Sequence, residues 1–166
     1  QDKYSVSKDT ELDFIPGTNF LTIGGKPCLS RASVEKSCKF NQNTKVTNNR
    51  IYFLGDSVVN SLISGFIEND QLSKYEIVDL TQGSCPILVN YCNLIENTVE
   101  YQQLKNIKNS VIIVGGLYEK FNSSDTFESD LSFTLELLGN NNKVILLSTF
   151  PSPDVNLRMY ERLNKN

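Results

Sequence analysis

Four short apolar runs recur along the chain: IYFL (51–54), YEIVDL (75–80), SVIIVGG (110–116) and KVILLS (143–148). Runs of this length, rich in β-branched and aromatic residues, read as strands. The unbroken run in 111–114 suits a strand buried on both faces of a parallel sheet, where alternation disappears. The stretches between them have a different period. Val59, Leu62, Ile63, Phe66 and Ile67 fall at i, i+3, i+4, i+7 and i+8, one face of a helix. Residues 94–107 read as a helix with Asn93 as N-cap and Glu96 three residues on, an approximate capping box. Phe127, Leu131, Leu135 and Leu138 line a third helical face, with Gly139 fitting its C-terminal cap. Strand–helix alternation predicts a three-layer α/β/α sandwich around a central parallel sheet.

The alternation starts only at Arg50. Residues 1–48 are polar, with turn signals at Pro16-Gly17 and Gly24-Gly25 and an Asn-rich end. They read as a lead-in strapped to an α/β domain over 49–166. A chain of 166 residues is long enough for one sizeable core. The N-terminus lacks the basic start and apolar stretch of a signal peptide. No apolar run approaches the roughly 20 residues that span a bilayer. The net charge is −3 and the basic residues are scattered, so no nucleic-acid footprint is expected.

Cys28, Cys38, Cys85 and Cys92 form two close pairs. Metal sites use tighter spacing, such as C-x2-C, usually with histidine partners, and the chain has no histidine. No metal or organic cofactor is therefore expected. Two local disulfides, Cys28–Cys38 and Cys85–Cys92, fit the spacing, although four cysteines permit three connectivities and four reduced thiols are the alternative. Disulfides would place the chain in an oxidising compartment.

In NNRIYFLGDSVVNSL, Ser57 stands between a strand end and a helix start. Gly55 permits a tight turn there. A helix N-terminus favours negative charge, and the N–H of Ser57 could donate to an oxyanion. A serine hydroxyl still needs a base before it can attack. The bland alternative is that Asp56 or Ser57 is only a helix N-cap. Ligands of parallel sheets bind beyond the carboxyl ends of the strands. Three loops should meet there: 55–57, 81–84 and 115–118, with 149–154 as a neighbour. Tyr91 and Tyr118 lie in such loops, where tyrosines can stack on sugars. Glu119 and Asp154 are carboxylates near strand ends, and Asp154 fits an N-cap.

From about Pro27 onward the chain resembles SGNH hydrolase domains. More narrowly, it is similar to the SGNH domain fused behind bacterial acyltransferase-3 membrane proteins that O-acetylate cell-surface glycans. The resemblance rests on the first cysteine pair and NNRIYFLGDSVVNSL, then LTQGSCPILVNYCNL, SVIIVGGLYEKF and VILLSTFPSPDVNLRMYERL. It implies an SGNH or flavodoxin-like fold with Ser57 as nucleophile. The N–H groups of Ser57 and Gly83 would form an oxyanion hole. The family's third-block Asn is absent, and Gly116 or Leu117 stands in its place. Also absent is the Asp-x-x-His block that follows a further strand in the family. The sequence stops inside an amphipathic stretch, so the expectation is a fragment that lacks the last strand and, alone, the catalytic base. The implied function is an extracytoplasmic O-acyltransferase domain, tethered at a membrane, that takes an acetyl group from an acyl donor to a glycan hydroxyl. A carbohydrate esterase or deacetylase of the same fold, and a non-catalytic glycan-binding module, are the alternatives.

Overall fold

The structure is a computed structural model. It describes residues 20–30, 33–42, 49–85, 87–89, 99–118 and 125–147, and the backbone of 5–6 and 13–14. The four predicted strands are β6 (Arg50–Gly55), β7 (Glu76–Asp79), β8 (Val111–Gly115) and β9 (Lys143–Leu146). They lie side by side in the order β7-β6-β8-β9, each pair parallel. β6 is central because its apolar residues face cover on both sides, and Ile51 through Gly55 are all buried.

Alternation along the strands sorts the two faces. Ile51, Phe53, Ile77 and Ile113 pack on one side with Val59 of α1 (Ser57–Asn60) and Ile63 of α2 (Ile63–Glu68). Tyr52, Leu54, Val78, Ile112 and Val114 pack on the other with Tyr101 and Leu104 of α3 (Val99–Lys105) and Leu138 of α4 (Phe127–Gly139). The result is the α/β/α sandwich expected from the alternation, with apolar burial on both sheet faces as its main stabilising term.

The lead-in departs from its irregular reading. Its β5 (Cys38–Phe40) pairs antiparallel with β7, and β1 (Ser5–Val6) pairs parallel with β5. The main sheet therefore has six strands, with β1 and β5 reversed relative to the other four. A small antiparallel sheet joins β2 (Asp13–Phe14), β3 (Leu21–Ile23) and β4 (Lys26–Pro27). Phe40 and Leu21 are buried in the α1/α2-side core, which the polar composition of the lead-in concealed.

Local details also shift. The helix foreseen from Val59 to Ile67 is two short pieces. The Ser61 hydroxyl donates to Val58 O at 2.7 Å, and Leu62 N–H donates back only three residues, to Val59 O. Such side-chain back-bonding competes with the helical ladder. In α4 the deepest residues are Phe127, Asp130, Thr134 and Leu138, so the buried face is rotated from the leucine stripe. Thr134 fits there because its hydroxyl donates to Asp130 O at 2.6 Å and accepts from Val89 N–H at 3.1 Å. Asn140, one residue beyond Gly139, forms the C-cap. The first part of the helix foreseen over 94–107, with Asn93 and Glu96, lies outside the described residues. The residues after 147, where a last strand was at issue, do so as well. At the described edge of the sheet, Ile145 and Leu146 of β9 are exposed.

Candidate active site

The chain order and the sheet order differ at β6. From β6 it steps to β7 on one side, then crosses back to β8 on the other. This reversal lies between β6 and β8, and open α/β sheets bind ligands beyond the carboxyl ends of strands at such a point. Ser57 opens α1 immediately after the carboxyl end of β6 and is partly buried.

Backbone contact closes the strand ends tightly. Gly55 has φ +152°, and a Cβ there would run into Gly115 O and Val59 Cγ2. Only glycine lets the two strand ends approach this closely. Gln82 N–H donates to Gly55 O at 2.8 Å, which ties the loop after β7 to the same point.

Asp56 is the N-cap of α1, as the bland reading had it, and it does more. Its Oδ1 accepts from Val58 N–H at 2.9 Å, and its Oδ2 accepts from Leu117 N–H at 2.7 Å. The buried carboxylate thus bridges the loop after β6 to the loop after β8. Its side chain is turned to these two N–H groups, consistent with a structural role beside Ser57. Gly116 lies against this carboxylate, where a Cβ would meet Asp56 Oδ2 at 3.4 Å, about ordinary contact. The α1 helix has four residues, too few for an appreciable macrodipole, so any anion stabilisation must come from individual N–H groups.

Beneath α1 lies a buried polar network absent from the sequence reading. Asn60 Nδ2 donates to Asp79 Oδ2 at 2.7 Å and to Thr81 Oγ1 at 2.9 Å. Thr81 donates to Asp79 Oδ1 through both its N–H, 2.9 Å, and its hydroxyl, 2.6 Å. Asp79 is therefore acceptor-only toward three donor groups, which offsets the cost of burying it. The network fixes α1, β7 and the 81–85 loop in one arrangement. A signal existed for it: Asn60 interrupts an apolar helix stretch, and Asp79 interrupts the apolar EIVDL run.

Gly83, foreseen as an oxyanion donor, has its N–H on Ser30 Oγ at 2.9 Å. Ser30 N–H in turn donates to Thr81 O at 2.9 Å. The Cys28–Cys38 disulfide, two residues before Ser30, ties that segment to the first residue of β5, the register partner of Asp79. Cys85 is also disulfide-bonded, while Cys92 lies outside the described residues.

Tyr118 is buried against Phe127 and Leu88, so it offers no exposed stacking face. Burial, with Asp56 nearby, raises its phenol well above the ordinary tyrosine range. Among the described residues its hydroxyl has no hydrogen-bond partner. Tyr91, Glu119, Asp154 and the 149–154 loop lie outside the described residues. Among the described residues, no group of three or more His, Cys, Asp or Glu side chains is placed to hold a metal ion. No helix among them is long and apolar enough to cross a membrane.

Searches of curated proteins and of solved structures returned no match. Residues 27–166 match the family described as SGNH domain (fused to AT3 domains). That span takes in all four parallel strands, Ser57 and the disulfide-tied Ser30 segment. The chain belongs to this family of SGNH domains associated with acyltransferases.

Proposed function

We propose that this chain is the extracytoplasmic SGNH domain of an O-acyltransferase, in which Ser57 carries an acetyl group to a hydroxyl of a cell-surface glycan. The observation that carries this reading is the position of Ser57, at the reversal of strand order and held there by the Asp56 bridge to Leu117. Ser57 Oγ attacks the acyl carbonyl and its proton passes to a base; the bond from the acyl carbon to the donor then breaks, and the leaving group takes that proton. The chain has no histidine, so an imidazole base comes from outside these 166 residues. The N–H of Ser57, with Gly116 alongside, is the proposed cradle for the tetrahedral oxyanion, and Gly83, whose N–H is on Ser30 Oγ, borders it. The glycan hydroxyl then attacks the acyl-serine, returning Ser57 to its free form. The disulfide Cys28–Cys38 is consistent with a compartment outside the cytoplasm. A membrane acyltransferase domain is the proposed source of the acyl group.

The test uses the full-length protein with an acetyl donor and a glycan acceptor. Wild type is expected to form acetylated glycan and an acetyl-Ser57 adduct visible in the intact mass. Ser57→Ala is expected to lose both. Release of acetate that ignores the acceptor would instead indicate an esterase. Retained glycan binding by Ser57→Ala, with no adduct in wild type, would indicate a binding module, the reading that the absence of histidine favours.

A further inference from the structure

We infer that Ser30 is a catalytic hydrogen-bond donor, extending the oxyanion site with a hydroxyl supplied by the disulfide-tied lead-in; this rests on the Ser57 reading above. Ser30 Oγ accepts from Gly83 N–H at 2.9 Å. A hydroxyl that accepts in this way still has a proton to donate. Among the described residues nothing accepts that proton. Both Ser30 and Gly83 are exposed, so a bound oxygen can reach the hydroxyl.

The direction of the bond matters. A donor already spent on Ser30 Oγ cannot point squarely at an acyl oxygen as well. The group presented to a substrate is then the Ser30 O–H, polarised by the N–H behind it. Chains of this kind strengthen one another, because each bond increases the charge on the next donor. During attack, the Ser57 Oγ–carbon bond forms and the carbonyl pair moves onto oxygen. Ser30 donates a hydrogen bond to that oxygen and keeps its proton.

The backbone supports a dedicated placement. Ser30 has φ +67°, a left-handed conformation uncommon for a residue with a Cβ. It is anchored on two sides, by its N–H on Thr81 O and by the Cys28–Cys38 disulfide two residues earlier. Thr81 is itself fixed by Asp79. Gln82, between Thr81 and Gly83, bonds to Gly55 O, two residues before Ser57. The hydroxyl is thereby tied to the 81–83 segment, which is itself bonded to the strand end that precedes the nucleophile.

The experiment measures acetyl transfer by the full-length protein carrying Ser30→Ala, Ser30→Gly or Ser57→Ala, with thermal melting of each. Loss of one oxyanion donor is expected to lower kcat by roughly 100-fold or more at nearly constant KM. Glycine adopts the left-handed backbone freely, so Ser30→Gly should recover any stability lost in Ser30→Ala. It should not recover kcat. Activity that returns with stability in Ser30→Gly, or a kcat equal to or above wild type in either variant, overturns the inference. If Ser57→Ala is inactive in that same experiment, the nucleophile reading stands while the Ser30 inference falls. If wild type transfers nothing, or Ser57→Ala matches an active wild type, both fall together.

Discussion

Asp56 offers the sharpest test of how the site is held. Its two carboxylate oxygens take separate N–H groups, Val58 at 2.9 Å and Leu117 at 2.7 Å. Asp56→Ala leaves both donors without their acceptor. At about 1.5–3 kcal/mol for a hydrogen bond to a charged group, the loss is roughly 3–6 kcal/mol. That is a large share of the roughly 5–15 kcal/mol by which a domain is usually stable. Asp56→Asn is the informative partner. Its amide oxygen can still cap Val58, but its NH2 then faces the Leu117 N–H, donor against donor. Only one bond should be lost, at about 1.5–3 kcal/mol. Urea unfolding of the three proteins, with the slope held as a check on two-state behaviour, reads these differences. The order should be wild type, Asn, Ala, in roughly equal steps. Asn within about 0.5 kcal/mol of wild type, the range of an ordinary surface change, would mean that the Leu117 bridge contributes nothing. The account of the site as two loops joined by one carboxylate would then be wrong.

Tyr118→Phe removes a buried hydroxyl that has no partner among the described residues, so it should be neutral or stabilising by up to about 1 kcal/mol in the same unfolding assay. It should also blunt alkaline unfolding. The folded-state pKa of Tyr118 is raised, so its contribution is intact below the unfolded tyrosine value near 10 and is lost as pH rises beyond it. Tyr52, raised mainly by burial, should account for part of the loss that remains in the variant. Replacing Cys28 and Cys38 together by serine opens a loop with a sequence separation of 10. Loop-closure entropy puts the cost at roughly 2–3 kcal/mol, measurable as a lower urea midpoint. A double variant with an unchanged midpoint would contradict that assignment.

The four parallel strands were legible because each is a compact apolar run between turn residues. α4 was legible because its leucines repeat with helical period. The place of Ser57 at a strand end was legible for a related reason: Gly55-Asp56-Ser57 follows an apolar run and precedes residues of helical period. The rotation of the α4 face was not legible. Thr134 and Asp130 are polar by composition, and only the approach of Val89 N–H makes burying Thr134 favourable.

The local pattern of residues by itself determined the strand–helix alternation, the buried central strand and the strand-end serine. These depend on spacing along the chain, which is fixed before the chain folds. The tertiary structure decided what depends on distant partners. Residues 38–40 became a sheet strand because β7 offered an edge. Asn60, Asp79 and Thr81 became one network across 21 residues of sequence. Ser30 met Gly83 across 53. A polar side chain carries no mark of whether it will face water or a buried donor. That is settled only when folding removes the water and brings the donor to it.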